Sequence, residues 1–413
     1  MNPWKWLTDP RHEAMIQFVL FAALVVATPF VVVTRYLQSV AQLVSHLSLP
    51  LPGVEVPGVL ILAAGLALFL AWRYRSRITR RRLAALAVLG GMVALGHWTM
   101  DLYLDLTFFD LQENWHYVAY GAYMFFFFRA FNLRRMPLPR MILWAYGSAL
   151  LMSLFDETFQ FFLSHRVFDL SDVTKDAWGV IMGLVLVIFV TESAGTIDLK
   201  RAVWRRERLG DYLRHPETAL LSVFGLTTVF LFVSPLLTEH AEIPLLLATG
   251  FGLFAVAGLL FHLSRHRAVR IALGILAVVA VLGVAGSRLA HRGDPITHNT
   301  FGLTVYRGMP LPFFDVLIYP DGGFRFVDKK HHFRSQDLRY LLMQEPDVLL
   351  VGSGNQGRGG QGFPQPEPVQ FIYNEFTGRG TQVIILPTPE ACRQYNSLVA
   401  AGKKVLFILH NSC

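Results

Sequence analysis

The sequence predicts an α-helical polytopic membrane bundle of about nine spans, followed by a small α/β domain with a mixed sheet. Three observations carry this expectation. Of 413 residues, 53% are hydrophobic and only 16% are charged, against roughly 25% charged in an ordinary soluble domain. Uncharged runs such as AALVVATPFVVV, PGVLILAAGLALFLAW and IALGILAVVAVLGVAG recur along the chain and approach the ~20 residues that cross a bilayer. After Arg288 the apolar runs shrink to strand length, while Gly, Pro and charge rise. A purely soluble protein is excluded. So is a disordered or disulfide-stapled chain, because there are 33 phenylalanines and only two cysteines, Cys392 and Cys413.

The spans are expected near 14–34, 56–72, 83–104, 115–132, 141–163, 177–192, 218–237, 243–262 and 269–287. The first lacks a small-residue cleavage site and is followed by Arg35, which reads as a retained helix more than as a signal peptide. Lys and Arg then set the orientation. With the N-terminus, the loops RYRSRITRRR and RAFNLRRMPLPR, the connector from Lys200 to Arg214 and the turn with Arg265, Arg267 and Arg270 place 21 basic residues on one side. The opposite loops hold three, Arg35, Arg166 and Lys175. The basic side is the cytoplasmic one, so an odd number of spans puts residues 288–413 outside the cytoplasm of a bacterial inner membrane. The net charge of +8 is therefore a topology signal. No basic stripe interleaved with aromatics supports a nucleic-acid partner. The expected plan is two spans in 1–82, a four-span domain in 83–192, a basic connector with three spans in 193–287, and a soluble domain in 288–413.

The outer loops are acidic. His97, Asp101 and Asp105 share one helical stripe, and His116 follows across a short loop. About 15 residues into the fifth span, or ~22 Å at the helical rise, come Asp156 and Glu157, with Gln160 one turn past Asp156 and Glu157. Charge at that depth costs roughly 2.5–3.5 kcal/mol on insertion scales and normally faces a bundle interior or a wet cavity. The chain leaves through SHRVFDLSDVTKD and re-enters with AWGVIMG, where Gly179 and Gly183 form a small-residue face for close helix packing.

The segment DETFQFFLSHRVFDLSDVTKDAWGVIMG, preceded by HYVAYGAYMFFFF, resembles the VanZ-like family of membrane proteins, known through a member associated with low-level teicoplanin resistance. The matching positions are His116, Glu157, Gln160, Arg166, Asp169, Asp172, Asp176, Gly179 and Gly183. Asp176 stands where the family usually has Asn. The resemblance covers roughly 83–192 and makes these polar residues the candidate ligand site. Glu157 and Arg166 are the candidates for catalysis, as acid or base and as an anion grip. Alternatively, Glu157 and Gln160 bond to His116 or Arg166 and lock the loop onto the bundle. A metal set of His97, Asp101, His116 and Glu157 matches no recognised zinc spacing, and nothing calls for a cofactor.

In the last third, DVLIYP and GFRFVD read as strands joined by Pro320-Asp321-Gly322-Gly323. SQDLRYLLMQ reads as a helix capped by Ser335, DVLLVGSG as a buried strand, QFIYNEFTGRG as a helix, and TQVIILPT as a strand. A helix started by Pro389 and stopped by Gly402 precedes the last strand, KKVLFILH. Gly352-Ser353-Gly354, Thr388, Ala391, Cys392, Tyr395 and Asn396 make this region resemble the small domain of the mitochondrial complex I assembly factor three and of stand-alone prokaryotic proteins. Ser353, Gly354, Thr388, Cys392 and Asn396 border a crevice at the strand ends that suits an anion or a docking partner. Cys392 is read as a buried thiol before a nucleophile.

The expected function is that of a VanZ-like integral membrane protein, in contact with membrane lipids, that binds an amphiphilic envelope precursor or a glycopeptide antibiotic at its outer face. The 288–413 domain offers a surface for a protein partner. The alternatives are an intramembrane enzyme acting on envelope lipid precursors and a membrane-anchored assembly factor.

Overall fold

The computed structural model describes residues 9–27, 48–51, 54–57, 61–62, 65–66, 69, 72–73, 75–100, 111–132, 136–160, 170–192, 197, 207–234, 243–290, 293–312, 315–327, 345–358, 370–374 and 378–411. The chain divides into two compact units. One comprises 1–100, 106–232 and 252–262; the other comprises 101–105, 233–251 and 263–413.

The helices follow the apolar runs. In chain order they are α1 (Pro10–Ala27), α2 (Arg80–Met100), α3 (Leu111–Asn132), α4 (Leu138–Gln160), α5 (Leu170–Val185), the short α6 (Leu209–Arg214), α7 (Pro216–Val233), α8 (Ile243–Leu263) and α9 (Arg267–Ala290). Among the described residues four helical segments are long and apolar enough to cross a membrane: Pro10–Ala27, Leu138–Phe159, Leu170–Val190 and Pro216–Val233. The count of nine spans is thus an expectation beyond what these segments establish. A hairpin of β1 (Ser48–Leu51) and β2 (Val54–Pro57) precedes the helical residues 61–62, 65–66, 69 and 72–73, so the expected second span starts later than residue 56.

Helix α5 is the hub of the first unit. Nearly every residue from Leu170 to Val185 is buried, and a π-helical turn, Leu186–Val190, continues it. Gly183 explains the close approach to α3: a Cβ there would lie 2.7 Å from the Cβ of Met124 and 2.8 Å from the carbonyl of Gly121. Gly179 likewise abuts the backbone of His116 and Tyr117. The small-residue face read from AWGVIMG is therefore a packing device. Trp178 donates its indole N–H to the carbonyl of Met92 in α2 at 2.8 Å, and Tyr146 in α4 meets Thr227 in α7 at 2.7 Å. Phe18 of α1 packs edge-on against Tyr123, Phe127 and Phe131 of α3. Apolar side chains on the outer faces, including Val118, Trp144, Leu151 and Phe155, are exposed. A bundle whose solvent is lipid leaves such residues outward.

The second unit carries two sheets. Strands β3 (Ile296–Thr300), β4 (Leu303–Tyr306) and β5 (Met309–Pro312) form an antiparallel meander. The remaining strands are β6 (Asp315–Ile318), β7 (Phe324–Val327), β8 (Val348–Gly352), β9 (Gln370–Asn374), β10 (Arg379–Leu386) and β11 (Val405–Leu409), in the order β7-β6-β11-β8-β10-β9. β8 runs parallel to β10 and β11, and the other pairs are antiparallel. The mixed sheet is as expected. β8 is buried along its whole length, as its uninterrupted Val-Leu-Leu-Val run requires of a central strand. Alternation splits its neighbours between two cores. Val348, Leu350, Val405 and Phe407 pack with Ala391, Cys392 and Tyr395 of helix α10 (Thr388–Ala400). Leu349, Val351 and Leu406 join Leu317, Tyr319 and Val383.

One element is corrected. Residues 370–374, expected in a helix, form strand β9, paired antiparallel with β10 from Gln370↔Val383 to Asn374↔Arg379. The β-branched and aromatic run Phe371-Ile372-Tyr373 finds an open sheet edge, and edge pairing outweighs the weak helical periodicity. The end of α10 matches expectation. Gly402, at φ +73°, takes the left-handed position, and the N–H groups of Gly402 and Lys403 bond the carbonyls of Val399 and Leu398. The helix expected from Ser335 lies outside the described residues.

Candidate functional site

The polar cluster forms where three helix ends meet: the start of α3, the end of α4 and the start of α5. Asp176, 2% exposed, sits in the first two turns of α5. Nδ1 of His116, on α3, donates to its Oδ1 at 2.8 Å. The hydroxyl of Ser153, on α4, donates to its Oδ2 at 2.6 Å. One carboxylate therefore ties three helices, with both oxygens engaged. One turn beyond Ser153 on α4 lie Asp156 and Glu157, both buried. Tyr120, one turn below His116, is buried beside Ser153 with Asp176, Asp156 and Glu157 as its charged neighbours. Lys175 is buried in α5 and pairs with Asp172 at 3.0 Å. The sequence reading placed Lys175 in a loop; it belongs to the helix, and its charge is neutralised locally.

This geometry limits the chemistry. In a serine-nucleophile relay the histidine stands between the hydroxyl and the acid. Here the carboxylate stands between His116 and Ser153, and the serine proton is committed to Asp176. The arrangement fixes the ring of His116 and leaves Nδ1 as the N–H that Asp176 accepts. Among the described residues no group of three or more His, Cys, Asp or Glu side chains is arranged to hold a metal ion.

Of the sequence candidates, His116, Glu157 and Asp176 are brought to one end of the bundle, with Asp172 at the start of α5. Gln160 ends α4, and its side chain lies outside the described residues, as do Arg166 and Asp169. Ser153 was missed, and Tyr120, which follows His116 in the sequence, was not counted among the site residues. Their signal was present, since Ser153 precedes Glu157 by one turn and Tyr120 follows His116 by one turn.

In the second unit, the crevice residues mostly serve the backbone. The hydroxyl of Thr388 accepts the N–H of Gly354 at 2.9 Å and donates to the carbonyl of His410 at 2.7 Å. Ser353 donates through N and Oγ to the carbonyl of Leu386. Asn396 brackets Ile296, accepting its N–H and donating to its carbonyl. Cys392 is a free, buried thiol, and burial pushes its pKa up to about 12, the opposite of an activated nucleophile. A buried network missed by sequence reading lies beside this crevice. Asp315 accepts from His410 and from the N–H of Asn411. Asn411 in turn joins Thr304 and the carbonyl of Leu311.

Comparison with known proteins finds similarity in both regions. Residues 58–191 match the VanZ/LLP1 family, and residues 302–410 match a family described as a protein of unknown function, DUF498/DUF598. No curated protein matches the chain. Among solved structures, the chain is similar to one titled MT938 (25% identity, 29% of this chain and 97% of that one, TM-score 0.23). It is also similar to the conserved hypothetical protein PH1505 from Pyrococcus horikoshii OT3 (28% identity, 29% and 98% covered, TM-score 0.23). The chain thus joins a VanZ-like region to a C-terminal region similar to DUF498/DUF598.

Proposed function

We propose that the polar end of α3, α4 and α5 binds an amphiphilic cell-envelope ligand or a glycopeptide antibiotic, on the membrane face opposite the basic loops. The observation that carries this reading is the buried Asp176, held by His116 and Ser153 with Asp156 and Glu157 beside it. Ionisable groups inside a bundle are expensive and normally mark a ligand or ion site. An amphiphile suits this position because its tail stays in lipid while its polar head reaches buried acceptors. Asp172, Gln160, Arg166 and Asp169 belong to the proposed site by their place in the VanZ-like pattern.

The reading is tested by expressing the protein in a susceptible bacterium and measuring teicoplanin susceptibility together with the envelope-lipid profile. Wild type should change at least one of them, and Glu157→Gln should abolish the change. Identical susceptibility and lipid profiles with and without the protein would remove the proposal. The outward orientation has its own test. A topology reporter after Cys413 should give an extracytoplasmic signal if the chain makes nine crossings from a cytoplasmic N-terminus, and a cytoplasmic signal would refute that count.

A further inference from the structure

The start of α2 breaks a helix rule. Arg80, Arg81 and Arg82 fill its first turn, with no acidic residue there, although the free N–H groups of a helix N-terminus already carry positive partial charge. Just before it, Arg75 opens a 3-10 turn, Arg75–Arg77, and Arg73 is exposed. Arg81 and Arg82 are held within the protein. Arg81 donates to the carbonyl of Ile197 at 2.7 Å and lies over the ring of Phe189. Arg82 pairs with Glu192 at 3.5 Å. These contacts fix the turn against the end of the hub helix, beside its π-helical segment. Arg75 and Arg80 remain exposed, and neither makes an ion pair with another described residue. Beside them stand exposed Trp72 and Ile78, Trp72 with its ring 6.3 Å from that of Phe69. An aromatic side chain and an aliphatic one next to a guanidinium cluster are what a bilayer interface selects.

We propose that this arginine turn binds the phosphate group of an anionic phospholipid, with Arg75 and Arg80 as the principal contacts and Trp72 at the head-group level. Glu192 answers the charge of Arg82 alone; a phosphodiester would supply an anion for Arg75 and Arg80, and guanidinium forks match its oxygens. A topology signal alone requires only a number of positive charges on one side. It does not require them to be held in a fixed turn at a helix N-terminus. The inference is independent of the ligand proposed for the Asp176 cluster, which lies at the other end of α5.

The test uses the full chain in phosphatidylcholine nanodiscs into which phosphatidylglycerol is titrated, read by thermal unfolding and by the lipid retained in native mass spectrometry. Phosphatidylglycerol should give a saturable stabilisation at low mole fraction, reduced by 0.5 M salt. Near-surface basic residues contribute enough that Arg75→Gln should weaken it about fivefold, and Arg75→Gln with Arg80→Gln about 30-fold. The control is Arg129→Gln with Arg214→Gln, the same charge change in the last turns of α3 and α6. An equal loss in that control would reduce the effect to net charge and overturn the site. Equal stabilisation by millimolar inorganic phosphate without anionic lipid would overturn the lipid assignment. No response of the wild type to phosphatidylglycerol would overturn the proposal outright.

Discussion

Asp176 shows how one residue sets the character of its neighbours. Its oxygens take the protons of His116 and Ser153, so Asp176→Ala leaves two donors without their acceptor inside the bundle. The expected cost is about 2–3 kcal/mol, less than for a fully buried pair because His116 stays partly exposed. Asp176→Asn keeps an acceptor and should cost about 1 kcal/mol. Thermal unfolding of the purified protein checks both, and an equal effect of the two would contradict the proton-accepting role. Cys392 gives a second residue-scale prediction. Its thiol should resist iodoacetamide at pH 8 in the folded protein and react once unfolded. The folded pKa of about 12 exceeds the unfolded value of roughly 8.5, so the unfolded state loses the proton first. Stability should therefore fall as pH rises above about 8.5. Rapid native labelling would refute the buried placement. Glu157 was readable as a carboxylate at costly depth, and His116 and Asp176 as matches to the VanZ-like pattern. The bond pattern was not, because spacing along three helices does not say which oxygen meets which donor.

At the scale of elements, the closeness of α3 and α5 rests on glycine. Gly183→Ala would drive a methyl group into Met124 and the Gly121 carbonyl and should destabilise by about 1–3 kcal/mol. Gly147→Ala in α4, with nothing within 4 Å of its added Cβ, should be neutral or stabilise by up to about 1 kcal/mol. Opposite signs in the same unfolding assay are the expected result. In the C-terminal domain Thr388 joins the loop after β8, the end of β11 and the start of α10. Thr388→Val leaves the Gly354 N–H and the His410 carbonyl without that hydroxyl and should cost about 2 kcal/mol, seen as faster amide exchange at Gly354. Helices and central strands were legible because long apolar runs and the continuous run of β8 admit few alternatives. β9 was not, since a short apolar run has no periodicity of its own and its state was decided by the open edge of β10.

At the scale of the molecule, the buried clusters among the described residues fall within one unit or the other. The cluster around Trp178 and Met124 shares no residue with the clusters on either face of the C-terminal sheet. Denaturant should therefore unfold them in two steps. Amides of β8 and β11 should exchange in one transition and those of α5 in another, whereas a single coincident transition would show that the units unfold as one. The sequence by itself determined that the chain is a membrane protein joined to a mixed α/β domain, because apolar run length and strand-length alternation are local quantities. Only the tertiary structure decided that Asp176 binds both His116 and Ser153, and that Thr388 and Asn396 are spent on the backbone. Those facts depend on which helix ends and strand ends meet, and packing, not spacing, brings them together.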